Sequence, residues 1–403
     1  MQRYRLLTWF YLAFWSIVIG ITTGVYLNTI NVVIDLLWRD LPNLLNIPTQ
    51  WKAVAVCLPL SLVIGLTQKY IGAYPLTIAE ILSETKIKGH FDYHRWWKIL
   101  FAGLLILGSG ASVGPEASAS GLVAGMIYWL GCRYKLIRDH ADVGSHKSFF
   151  DQIHLIWLTR LEHTDHQKTL TEYFRSDRQR KIFYLFWTLV ATVGFFGYFH
   201  FFPQEGVIGF HHPQVAWQWQ GILVVIPAMV IGWLFGFLFV KISELSVKWV
   251  GRWNAPIIKA ILCGMLLVCA AMFSKDILFS GEFSIVPFAH SSLQLAPGFL
   301  IALAFIKALV TNLGFALGWR GGTIFPAIFS SVAIGATLAQ FLQWMPKLTA
   351  SLVVATAITV ILEKPLISAI VLMLLLPIQF SIFILLICVL TNWILKKIPI
   401  LKP

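Results

Sequence analysis

Apolar runs follow one another from about Thr8 to Leu395, separated by short polar or glycine-rich breaks and by one long charged stretch. A crossing helix needs roughly 20 predominantly apolar residues. Runs of that order lie near Thr8–Trp38, Ala53–Gln68, Ile182–Phe202, Gly221–Val240, Ile257–Phe273 and Pro297–Leu317. Another opens after Pro326 and reaches about Leu342, and three more lie near Leu348–Leu362, Leu366–Leu376 and Ile378–Leu395. Backbone exposed to lipid must satisfy its own hydrogen bonds. The expected fold class is therefore all-α, a polytopic integral membrane protein. Composition agrees, since 58% of the 403 residues are hydrophobic and 12% charged, where soluble chains carry about a quarter charged residues. Arg3 and Arg5 precede an apolar run from Leu6 to about Leu37 that is too long for a signal peptide and has no small-residue cleavage pattern, so it reads as the first span.

The 31 Lys and Arg against 18 Asp and Glu give a net charge of +13. In a membrane protein this excess points to basic cytoplasmic loops and contact with anionic membrane lipid. Without a basic patch on a folded reader domain, nucleic acid is not an expected partner. Cys57, Cys132, Cys263, Cys269 and Cys388 lie in or beside apolar runs without metal or redox spacing, and read as small hydrophobes. The cluster from Glu162 to His166 and the pairs His90/His94 and His211/His212 read as surface histidines. No metal and no cofactor is expected, and no enzyme activity, because the intramembrane acids Glu80, Glu116, Glu282 and Glu363 are scattered.

The chain divides into residues 1–132, a charged block 133–181, and 182–403. The block holds both signs of charge and five histidines without a crossing segment. It reads as a polar cytoplasmic loop or small appendage, placed inside by Arg133, Arg175, Arg178, Arg180 and Lys181. Each flanking part contains a pair of interrupted helices. The breaks are Gly72–Pro75 and Gly108–Glu116 in the first, Ser280–Pro287 and Gly318–Pro326 in the second. Corresponding breaks in two halves point to a transporter built from inverted repeats around a midplane site, although the residues themselves show no strong self-similarity. The stretch Gly108–Gly121 is the most informative. A glycine-serine loop carrying Glu116 is costly at membrane depth unless it lines a cavity or packs on protein. Pro115 suits the first turn of a helix, and first-turn N–H groups without intrahelical partners favour an anion.

These residues resemble the CLC chloride channels and proton/chloride antiporters. Gly114-Pro-Glu-Ala-Ser118 is similar to the family's Gly-Arg-Glu-Gly-Pro signature, and Gly321–Pro326 to its Gly-Gly-x-Phe-x-Pro segment. Phe283–Pro287 resembles the segment leading to that one, and Gly72–Pro75 stands where the family has Gly-Ser-Gly-Ile-Pro. The resemblance implies an inverted repeat of broken and tilted helices whose N-termini converge on a dehydrated anion. It implies anion contacts from Gly72, Ala73, Tyr74, Gly114, Pro115, Gly321, Gly322, Thr323 and Ile324, with Glu116 as gate and proton carrier. Departures accompany it. The family's coordinating serine falls at Gly72, with Tyr74 or Thr77 as substitutes, and no tyrosine follows Tyr198 to supply the family's central one. Two helices expected after the signature helix are replaced by the charged block. The inner proton acceptor then has only Glu162 and Glu172 as positional candidates, and a homodimer stays open.

The expectation is transport of chloride or a similar small anion across the plasma membrane, passive conduction being slightly favoured over proton-coupled antiport. Fluoride/proton export on the same fold and a non-transporting scaffold are the alternatives. Lys307 and Arg320, near the second glycine break, are expected to snorkel to the interface.

Overall fold

The computed structural model describes residues 2–88, 91–159, 174, 176–203, 215, 218–282 and 284–403. The described residues are helical, and their helices in chain order begin with α1 (Gln2–Asp35), α2 (Leu41–Leu44), α3 (Lys52–Tyr70), α4 (Ile78–Lys88), α5 (Trp96–Gly108) and α6 (Glu116–Asp139). The short α7 (Ala141–Ser145) and α8 (Phe149–Trp157) follow, then α9 (Asp177–Phe201), α10 (Val225–Val250), α11 (Pro256–Phe273) and α12 (Ile285–Ser291). Last come α13 (Pro297–Ala316), α14 (Ile324–Leu342), α15 (Pro346–Leu362), α16 (Pro365–Met373) and α17 (Ser381–Lys397). Among the described residues, 8 helical segments are long and apolar enough to cross a membrane. The chain is a multi-pass membrane protein of all-α class.

The starts are written locally. Pro256, Pro297, Pro346 and Pro365 each occupy the first turn of their helix, where a missing N–H costs nothing. The Ser148 and Ser176 hydroxyls accept from the backbone N–H of Asp151 and Gln179, each at 3.3 Å, capping α8 and α9.

The chain folds as two compact units. One comprises residues 1–32, 75–101 and 116–204; the other comprises 33–74, 102–115 and 205–403. In the first, Tyr4, Tyr11, Leu12, Leu130, Ile137, Ile156 and Trp187 form the buried core. The charged block enters this core where it is described. Arg133 is only 4% exposed, and its guanidinium donates to the Tyr11 hydroxyl at 3.0 Å and to the Ile156 and Thr159 carbonyls. Glu162, Glu172 and the Glu162–His166 cluster lie outside the described residues, as do His90, His211 and His212.

In the second unit, α14 is the most enclosed span, with 78% of its apolar window buried. Its neighbours approach closely because small residues permit it: a Cβ on Gly232 of α10 would stand 2.5 Å from the Val353 carbonyl oxygen of α15, and one on Gly335 of α14 2.7 Å from the Ala350 Cα. Lipid tails are as apolar as leucine, so close van der Waals packing of this kind replaces the hydrophobic effect between spans.

Candidate functional site

Every expected anion-contacting residue belongs to the second unit. The loop after α5 and the loop after α13 are joined by reciprocal main-chain bonds, Gly114 N–H to the Gly322 carbonyl at 2.7 Å and Gly322 N–H to the Gly114 carbonyl at 2.9 Å. This is an isolated antiparallel bridge. The approach demands glycine at 321: a Cβ there would lie 2.4 Å from a Val113 methyl and 3.1 Å from the Gly114 oxygen. At Gly318 the demand is conformational, because φ is +103°, a region costly for L-residues.

Four further ties hold the broken helices in register. Gln68, near the end of α3 and four residues before Gly72, donates from its side-chain amide to the Gly318 carbonyl. The Phe279 N–H donates to the Gly110 carbonyl at 2.9 Å, and the Trp38 indole N–H to the Gly108 carbonyl at 2.9 Å. The buried hydroxyls of Ser112 and Thr311 lie 2.9 Å apart in a hydrogen bond. All four glycine breaks therefore belong to one bonded network, directly or through the helix that carries them.

The network also contains a repeat that the residue identities conceal. α5 ends at Gly108, Gly110 takes φ +87°, Gly114 forms the bridge and α6 begins at Glu116. α13 ends at Ala316, Gly318 takes φ +103°, Gly322 forms the bridge and α14 begins at Ile324. From 110 to 318 and from 114 to 322 the step is 208 residues. A reciprocal bond pair between equivalent residues is what a local two-fold axis produces.

Lys307 overturns the snorkelling expectation. It is 0% exposed, and its ammonium donates to the carbonyls of Asp276, Ile277 and Phe279 at 2.8, 3.1 and 3.0 Å, with the Leu278 carbonyl at 3.5 Å. It also stands 4.7 Å from the Phe329 ring centre. A buried charge survives only with such satisfaction. One turn further along α13 is Thr311, so a single helix face fixes both the 276–279 segment and Ser112. Sequence reasoning missed this role; the available signal was a lysine in mid-run, too deep for its head to reach water. Arg320 is half-buried.

The Thr77 hydroxyl is engaged at the start of α4. Its Oγ1 donates to Glu80 Oε2 at 3.0 Å, its N–H to the same oxygen at 2.8 Å, and the Glu80 N–H returns to Oγ1 at 3.3 Å. This reciprocal capping box starts α4. Tyr74, 8% exposed, donates its N–H to the Gly72 carbonyl at 2.9 Å, turning the chain sharply after Gly72 (φ +116°). The Thr323 side chain does not cap α14, and Gly322, Thr323 and Ile324 stay half-exposed beside buried Phe325 and Pro326. The most enclosed helix thus starts without a side-chain cap of its own. Pro115 is buried, and Glu116, half-buried, follows it as the first residue of α6. Of Phe283–Pro287, Phe283 lies outside the described residues, and Ile285 opens α12.

Broken helices repeated in two halves and bonded at their glycine turns define a class of membrane transport protein. The sequence profile described as voltage gated chloride channel matches residues 173–396. That is more than half of the chain, and the protein belongs to this family. Its structure is similar to that of a slow cyanobacterial Cl−/H+ antiporter, with a TM-score of 0.69 at 17% identity, covering 96% of this chain and 94% of that one. It is similar to a CLC-type fluoride/proton antiporter, with a TM-score of 0.62 at 14% identity over 96% and 95% of the two chains. A eukaryotic CLC transporter matches with a TM-score of 0.63 at 13% identity, over 97% of this chain and 72% of that one. A search of curated protein sequences returns no match.

Proposed function

We propose that the protein carries chloride or a similar small anion across the plasma membrane through the glycine cradle, with Glu116 as gate. The reciprocal Gly114–Gly322 bond pair carries this reading. It fixes two loops whose following helices, α6 and α14, begin two residues later. Main-chain N–H groups supply partial positive charge there, which holds an anion without binding it too tightly to release. Gly72, Ala73 and Tyr74 add a third backbone segment, with the Tyr74 phenol in place of the family's serine hydroxyl. Gly114, Pro115, Gly321, Gly322, Thr323 and Ile324 complete the cradle. The Glu116 carboxylate competes with the anion and withdraws when protonated, so flux rises as pH falls.

Passive conduction is favoured over exchange by the lack of any tyrosine beyond Tyr198. Fluoride/proton export is the second reading, favoured by the likeness to a CLC-type fluoride/proton antiporter over nearly its whole length. Reconstituted vesicles separate these. Chloride efflux without accompanying proton movement supports the first reading; fluoride efflux driven uphill by a pH gradient supports the second. Neither anion moving, with the protein folded and inserted, sinks both and leaves a membrane scaffold.

A further inference from the structure

A basic cavity of about 420 Å³ opens in the first unit between the start of α1, the end of α6, α7 and the start of α9. Arg5 and Arg138 line it with Thr8, Trp9 and Ser145. Both guanidinium groups lie close to Tyr134, which also lines the cavity. Neither arginine makes an ion pair with a carboxylate among the described residues. Asp142 is the one acid in the lining, and it is exposed. Two arginines against one exposed carboxylate leave the lining with an excess of positive charge, which an anion between them offsets.

Leu12, Tyr134 and Phe183 also line a second, adjoining space of about 120 Å³, which lies between α1, α6 and α9 beside Ile19, Ile127, Trp187 and Thr188. Its walls are apolar apart from hydroxyls. Trp9 packs against Trp187 with ring centres 5.4 Å apart, and Tyr134 against Phe183 at 5.1 Å, both pairs tilted, and Trp and Tyr of this kind gather at the headgroup level of a bilayer. The walls are firm. The Tyr4 hydroxyl donates to the Ile137 carbonyl at 2.9 Å, Arg3 donates to the Gln152 side chain at 3.1 Å, and a Cβ on Gly144 would meet the Tyr4 ring at 2.7 Å. The charged stretch after α6 thus closes one side of the basic cavity.

We propose that this composite cavity binds one anionic phospholipid of the cytoplasmic leaflet, its phosphate between Arg5 and Arg138 and an acyl chain in the apolar slot. Three features select this occupant. The charge is positive at one end only, the apolar space adjoins the charged one across three shared lining residues, and both lie where the basic residues flanking the spans place the cytoplasmic interface. A water-soluble phosphate has no use for the slot, and a zwitterionic lipid brings an ammonium toward two arginines.

Native mass spectrometry of the full-length detergent-solubilised protein tests this, with phosphatidylglycerol, phosphatidylcholine and glycerol 3-phosphate as probes. Phosphatidylglycerol is expected to be retained at one per chain. The double substitution Arg5→Gln with Arg138→Gln is expected to lower retention at least tenfold, and Arg5→Lys with Arg138→Lys to keep most of it. Both arginines are exposed, so their removal spares the core. Independently, Thr188→Trp at an exposed position of the slot should weaken long-chain phosphatidylglycerol several-fold and leave the dihexanoyl form unaffected. Equal retention by the double glutamine variant overturns the site. Phosphatidylcholine bound as well as phosphatidylglycerol overturns the charge selection. Glycerol 3-phosphate bound as tightly as the lipid, or long-chain lipid indifferent to Thr188→Trp, overturns the lipid as occupant.

Discussion

The loop from Gly108 to Glu116 and the loop from Ala316 to Ile324 share a backbone and almost nothing else. Both leave a helix, turn at a positive-φ glycine two residues later, reach the bridging glycine four residues after that, and start a new helix two residues on. The side chains diverge at every other position. Val113 stands opposite Gly321, Pro115 corresponds to Thr323, and the acid Glu116 corresponds to the apolar Ile324. One helix start therefore carries a carboxyl group and its counterpart an apolar side chain. Main-chain geometry is symmetric; the proposed gate is not.

Six substitutions break or sharpen this comparison. Gly321→Val drives a side chain into Val113 and should abolish folded, flux-competent protein, since overpacking against fixed backbone costs about 1–3 kcal/mol or more. Exchanging the bulk, Val113→Gly with Gly321→Val, should recover folding measured by monodisperse elution; a double variant as poor as the single would deny that the loops are equivalent. Glu116→Gln should leave anion flux high and flat across pH, where the wild type gains flux on acidification; an unchanged pH profile removes Glu116 from the gate, while Ile324→Gln should leave the profile intact. Gly318→Ala places a Cβ at φ +103°, 2.7 Å from the Gln68 amide oxygen. A loss of about 1–3 kcal/mol is expected, read as a lower melting temperature, and no loss would show that the turn relaxes. Thr311→Val removes one buried hydroxyl pair, for about 1 kcal/mol. Its melting temperature should fall less than that of Gly318→Ala, and a larger fall would rank the Ser112 tie above the turn.

How much of this was legible beforehand follows from the same contrast. The spans were legible because lipid imposes a composition, and the four breaks because only glycine and proline interrupt such runs cheaply. The breaks also pointed to a repeat, but its residue-by-residue register was hidden, since Gly110/Gly318 and Gly114/Gly322 are the only identities between residues 108–116 and 316–324. A bond pair made of N–H and C=O constrains no side chain, so sequence was free to drift around it. Thr77 illustrates a different limit. A hydroxyl near an expected ligand position looks like a ligand until Glu80, three residues on, is recognised as its capping partner. The charged block was legible in composition only; its buried Arg133 gives no periodic signal because one side chain does the anchoring.

The cage around Lys307 bears on how the protein is made. Inserted alone, α13 would carry a lysine into hydrocarbon, at a cost of roughly 2.5–3.5 kcal/mol on translocon scales. The four carbonyls that satisfy it belong to residues 276–279, synthesised about one helix earlier. α13 is apolar enough to cross despite that lysine, and the carbonyls that relieve its cost come from a segment made before it, so the partner precedes the charge in the order of synthesis.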